Sequence, residues 1–135
     1  MGKEKTVERK LIDSCHSIGM MAWHMDCSVD GFPDILAFGK DVSFVAEVKQ
    51  GPVSTKLFQA FEESQPVWMM KVNSVGYKHV FQILYDCGTY FLYQIDDLWA
   101  RVLNGDRFQD CEPLITSTKA SIIAREMKRI AHGAS

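Results

Sequence analysis

The sequence predicts an α/β domain in which a mixed central β-sheet is flanked by α-helices. The order of apparent elements points there first: one helix, three strands, two helices, two strands and closing helices. The run Phe44-Val45-Ala46 points the same way, because a strand apolar on both faces needs cover on both sides. At 135 residues, 47% hydrophobic and 24% charged, the chain suits a single domain spanning 1–135 around an apolar core.

From Thr6, a suitable N-cap, Val7, Leu11, Ile12, Cys15 and Ile18 follow helical spacing, and Gly19 is a natural stop; a first helix is expected over about residues 6 to 18. Met20 to Asp26 mixes apolar and aromatic residues in a short strand-like run, and the turn formers of 28–33 follow it. Ile35 to Phe38 and Ser43 to Val48 flank Gly39-Lys40-Asp41-Val42 as two antiparallel strands around a tight loop. Gly51 and Pro52 break the second strand, and Ser54 can cap a helix carrying Leu57, Phe58 and Phe61. Ser64-Gln65-Pro66 signals another helical start, whose broad apolar side runs through Val67, Trp68, Met69, Met70 and Val72 to Gly76. His79 to Tyr85 and Thr89 to Ile95 form a hairpin around Asp86-Cys87-Gly88. Asp96 to Leu103 reads as a short helix, 104–113 as an irregular link, and Ser117 to Ala131 as a closing helix ended by Gly133.

A formal charge of −2 lacks the basic excess of many nucleic-acid binders, although local distribution matters more than the sum. Basic residues cluster near the start (Lys3, Lys5, Arg9, Lys10) and the end (Lys119, Arg125, Lys128, Arg129), which suits a solvated helix face as well as a phosphate contact. Cys15, Cys27, Cys87 and Cys111 show no zinc-knuckle or redox spacing and are expected to be unpaired thiols in the packed interior. No apolar run approaches the length that crosses a bilayer, and Met1 to Lys5 lead into charge rather than a signal core, so a cytoplasmic protein with no membrane partner is expected.

Chemistry concentrates in Ala46-Glu47-Val48-Lys49. Strand alternation puts Glu47 and Lys49 on one face while Val48 points into the opposite layer. Asp34 immediately precedes the neighbouring strand. With a loop symmetric about Lys40 and Asp41, Asp34 lies directly across from Glu47, their Cβ atoms about 4.5–5.5 Å apart. Like charges this close repel unless a cation lies between them. Two carboxylates, the backbone carbonyl of Val48 and waters form the oxygen-rich surroundings that suit Mg²⁺, with Mn²⁺ expected to substitute. Such a metal would polarise a scissile phosphate and acidify a water, and Lys49 would orient or help deprotonate that water.

Pro33-Asp34 followed by Glu47-Val48-Lys49 resembles the signature of the PD-(D/E)xK nuclease superfamily. Within it the sequence is most similar to the VRR-Nuc domains, including small stand-alone phage and bacterial versions, over roughly residues 6 to 95. Those domains open with a glutamate-bearing helix that reaches a glycine, as Glu8 and Gly19 do, continue with a Gly-x-Pro-Asp turn like 31–34, and carry a glutamine on the helix after the catalytic strand. Gln65 fits that last element better than Gln59. The resemblance implies a restriction-endonuclease-like core, with Asp34 and Glu47 holding metal, Lys49 catalytic, Glu8 extending the metal or water shell and Gln65 supporting the site. It also implies a bacterial or phage origin. Gln50, where a small residue often follows the lysine, departs from the pattern, as does a helical C-terminal extension over about 96–135.

The expected function is therefore Mg²⁺-dependent endonuclease action on DNA, directed at branched or Holliday-junction substrates. A homodimer would present two active sites to a two-fold junction, with Trp99 and the C-terminal helix as candidates for its interface. The competing readings are a sequence-specific restriction-type or RNA-cleaving nuclease, for which no base-reading element is evident, and a non-catalytic nucleic-acid-binding module on the same fold. The complete set of Asp34, Glu47 and Lys49 speaks against the last.

Overall fold

The computed structural model describes residues 3–25, 34–57, 77 and 79–133. In chain order these form α1 (Lys3–Ser17), β1 (Met21–His24), β2 (Ile35–Gly39), β3 (Val42–Gln50), β4 (Val80–Asp86), β5 (Thr89–Gln94), α2 (Ile95–Leu103), β6 (Ile115–Ser117) and α3 (Ala120–Ala131). The helix expected from Ser64, with Gln65 on it, lies outside the described residues, as do Cys27 and the turn 31–33.

The strands make one six-stranded sheet in sequential order β1-β2-β3-β4-β5-β6. Every neighbouring pair is antiparallel except β3 and β4, which run parallel, so the sheet is mixed. Alternation along the strands divides the interior into two layers. On one side Ala46, Val48, Phe81 and Ile83 pack against Val7, Leu11 and Cys15 of α1 and Ile123, Ala124 and Met127 of α3. On the other, Val45, Leu84 and Tyr93 pack against Ile95, Leu98 and Val102 of α2, together with Leu57 and Phe108.

Helix α1 begins at Lys3, upstream of the Thr6 cap that spacing suggests, because Lys3, Glu4 and Lys5 are all good helix formers. It ends as expected. Gly19 takes φ +83°, its N–H donates to the His16 carbonyl at 3.2 Å, and the Met20 N–H reaches back to Cys15 at 3.0 Å, closing a Schellman motif. The Lys128 ammonium of α3 donates to the Ile18 carbonyl at 2.7 Å, placing a cation at the negative end of α1.

The stretch 96–135 needs correction, because it is not wholly helical. Ile115–Ser117 adds a sixth strand to β5, and the closing helix begins at Ala120 rather than Ser117. Two of its three residues are β-branched, and Leu114 N–H bonds the Leu92 carbonyl at 2.7 Å to start the ladder; three residues are too few to show a period. Ser117 Oγ then accepts from the Lys119 N–H at 3.0 Å and turns the chain into α3. Nor is this stretch peripheral, since α3 shares the core layer with α1.

The β4–β5 connection is a two-residue turn in which both Cys87 (φ +49°) and Gly88 (φ +92°) are left-handed, the type I′ pattern. Asparagine tolerates the first position far better than cysteine. Cys87→Asn is expected to stabilise the protein by about 0.5–1 kcal/mol, read as a higher urea midpoint at unchanged m-value. Cys15 and Cys111 are buried and Cys87 exposed, all as thiols. Burial pushes the Cys15 thiol up to about 11, so it stays protonated and inert at neutral pH.

Candidate active site

Five consecutive pairs, from Gly39↔Val42 to Ile35↔Ala46, tie β2 to β3 around the two-residue turn Lys40-Asp41. One further step of this register sets Asp34 opposite Glu47. The chain at Asp34 is fixed from the other side by the Met25 N–H, which donates to its carbonyl at 2.7 Å. Where the β2–β3 ladder ends, the Asp34 side chain continues it: Oδ2 accepts from the Val48 N–H at 2.9 Å. The N–H and C=O of one strand residue point to the same side, so the Val48 carbonyl also faces the Asp34 edge.

Val48 itself is buried in the α1/α3 layer. Glu47 and Lys49 therefore point to the α2 side, Glu47 only 3% exposed and Lys49 half-buried. The strand end they occupy is held by its neighbours. Gly51 N–H extends the parallel β3–β4 ladder to the Tyr85 carbonyl at 3.1 Å, and Leu57, Phe108 and Gln109 exchange backbone hydrogen bonds of 2.8–3.1 Å with 53–55 and 106. The segment leaving the site is thus clamped to the turn after α2.

Directly beside Glu47 in the parallel register lies Gln82, completely buried. Its Nε2 donates to the Glu47 carbonyl at 3.4 Å and the Ile83 carbonyl at 3.2 Å. Its Oε1 is buried and, among the described residues, has no hydrogen-bond partner.

The structure does not bring Glu8 to these groups. Glu8 sits on α1, 5% exposed, and its Oε2 meets His24 Nδ1 at 2.6 Å. His24 pairs with Ile35 and so shares the α1-facing side of the sheet, whereas Glu47 and Lys49 face away from it. Among the described residues no three His, Cys, Asp or Glu side chains converge on one metal-sized point. Gln65 lies outside the described residues, and for Trp99 the backbone alone is described. Sequence reading missed two polar partners. Gln82 carried a signal, as the lone polar residue in Val80-Phe81-Gln82-Ile83-Leu84; His24 carried none beyond its place at a strand end.

Among solved structures the chain is similar to Hjc of Archaeoglobus fulgidus, a Holliday junction resolvase from an archaeal hyperthermophile. The TM-score is 0.51 at 16% identity, covering 70% of this chain and 75% of that one. The chain has a restriction-endonuclease-like fold. No family model and no curated protein matches the sequence. Among the described residues no helix is long and apolar enough to cross a membrane.

Within this fold the donor set at the ends of β2 and β3 suits Mg²⁺. It is composed of oxygens: two carboxylates on adjacent strands, the Val48 carbonyl edge, and an orphaned, fully buried amide oxygen next to one of the carboxylates. With few protein ligands, several coordination positions are left to water, as Mg²⁺ prefers.

Proposed function

We propose that this protein is a Mg²⁺-dependent nuclease that hydrolyses phosphodiester bonds in DNA, with Asp34, Glu47 and Lys49 as its active residues. The observation that carries the proposal is the β2–β3 register, which runs to Ile35↔Ala46, the pair just before Asp34 and Glu47, and is continued by the Val48 N–H bond to Asp34 Oδ2, with Lys49 two residues along on the face of Glu47. Asp34 and Glu47 would hold the ion, with the Val48 carbonyl beside them. Bound there, Mg²⁺ supplies Lewis-acid polarisation of the scissile phosphate and a more acidic water.

The chain's own groups do the rest. The Val48 N–H holds Asp34 in one orientation, so its free oxygen is presented without a search over rotamers. Lys49 stands two residues from Glu47, where its ammonium orients the attacking water and offsets the charge that builds on the phosphate oxygens. The motif resembles that of the stand-alone VRR-Nuc domains, the type this reading favours.

Branched DNA is the substrate this reading favours. The fold is that of a protein described as a Holliday junction resolvase. A two-fold homodimer would match the symmetry of a four-way junction. The test offers linear duplex, single-stranded, flap and four-way-junction DNA to the purified protein with Mg²⁺, Mn²⁺ or EDTA. Metal-dependent cleavage is expected, fastest on the junction. Binding without cleavage of any substrate would establish a non-catalytic module instead.

A further inference from the structure

Gln82 is the one buried polar side chain on the α2-facing side of β4, flanked there by Val80 and Leu84. Both its donor contacts go to backbone carbonyls of β3 and β4, which fixes the amide so that Nε2 faces the strands and Oε1 points away from them. That oxygen is fully buried and accepts nothing among the described residues. A buried acceptor left without a donor lowers stability, and an apolar residue of the same shape would be tolerated better. Native structures rarely keep such an atom unless a water, an ion or a reaction makes use of it.

Its neighbour supplies the use. Gln82 stands next to Glu47 in register and on the same face. A Mg²⁺ ion held by carboxylates keeps part of its water shell, and each of those waters carries two polarised O–H donors that need acceptors outside the first shell. A neutral amide oxygen accepts such a bond without adding a third negative charge to the Asp34–Glu47 pair.

We propose that Gln82 is a positioning residue of the metal site, its Oε1 accepting a hydrogen bond from a water in the hydration shell of the ion held by Glu47. This rests on the metal-dependent nuclease reading above, and the experiment separates the two. Ca²⁺ and Mg²⁺ are titrated by calorimetry into the wild-type protein and into Asp34→Asn, Gln82→Leu and Gln82→Glu, without DNA; urea unfolding of each is measured in EDTA.

The expected result is metal binding by wild type, its loss in Asp34→Asn, and binding about 10–100-fold weaker in Gln82→Leu. Gln82→Glu, which restores an acceptor but adds a third negative charge beside Asp34 and Glu47, should recover it only in part. In EDTA, Gln82→Leu should be at least as stable as wild type, because an orphaned oxygen has been removed. Wild-type affinity in a folded Gln82→Leu, with Asp34→Asn defective, would overturn this assignment and leave the nuclease reading standing. A large loss of stability in EDTA for Gln82→Leu would also overturn it, showing that the amide is a structural member of the sheet. Absence of metal binding by the wild type would overturn both.

Discussion

Lys49→Ala is expected to lower the rate of Mg²⁺-dependent DNA cleavage by about 10²–10³-fold or more, the usual cost of removing one group that stabilises charge developing in a transition state. Lys49 is half-buried near the end of β3, and its ladder bonds to β4 are made by the backbone, so the substitution leaves the sheet intact. Its effect on stability should stay within about 1 kcal/mol. Asp34→Asn probes the same site through the metal. The asparagine carbonyl can still accept from the Val48 N–H that Asp34 Oδ2 engages at 2.9 Å, so the β2–β3 junction is preserved while the charge is lost. Cleavage should fall to background, and the rise in melting temperature expected of the wild-type protein in Mg²⁺ should be absent. Single-turnover cleavage of a labelled junction, with thermal melts in Mg²⁺ and in EDTA, reads all of these. A Lys49→Ala protein that cuts at the wild-type rate would remove lysine from the mechanism.

The second large effect is on stability. Phe81→Ala is expected to cost about 3–5 kcal/mol, a major share of the roughly 5–15 kcal/mol that holds a domain folded. Phe81 and Phe44 are both completely buried and meet edge to face, ring centres 5.8 Å apart and planes at 85°. They lie in the layer that α1 and α3 share, on the two strands joined in parallel at the middle of the sheet. Helices from the two ends of the chain close over this layer, so the cavity cannot be filled by moving one element alone. Urea unfolding should show a lower midpoint with an unchanged slope. A cost below about 1 kcal/mol would mean that the two helices collapse freely onto the gap.

Much of the architecture was legible because the local signals were strong. The helix ending at Gly19, the tight β2–β3 turn and the Cys87-Gly88 hairpin each rest on a few adjacent residues whose backbone preferences admit little else. The doubly apolar Phe44-Val45-Ala46 run announced a central strand, and both of its faces are indeed covered. Strand β6 was not legible, because a three-residue strand exists only by virtue of the β5 edge that receives it. The same holds for the C-terminal helix as a core element: its apolar stripe was readable, but its partner α1, more than a hundred residues away in sequence, was not.

For the site, the sequence by itself determined which groups share a face. Alternation put Glu47 and Lys49 together, and a symmetric turn put Asp34 across from Glu47; the paired register shows the turn that this geometry requires. Only the tertiary structure decided what surrounds them. The parallel β3–β4 pairing set Gln82 against Glu47, and the packing of α1 on the far side of the sheet gave Glu8 to His24. The physical reason is that period and turn chemistry act between residues a few positions apart, whereas a parallel strand pair and a helix–sheet layer join segments whose separation along the chain carries no pattern to read.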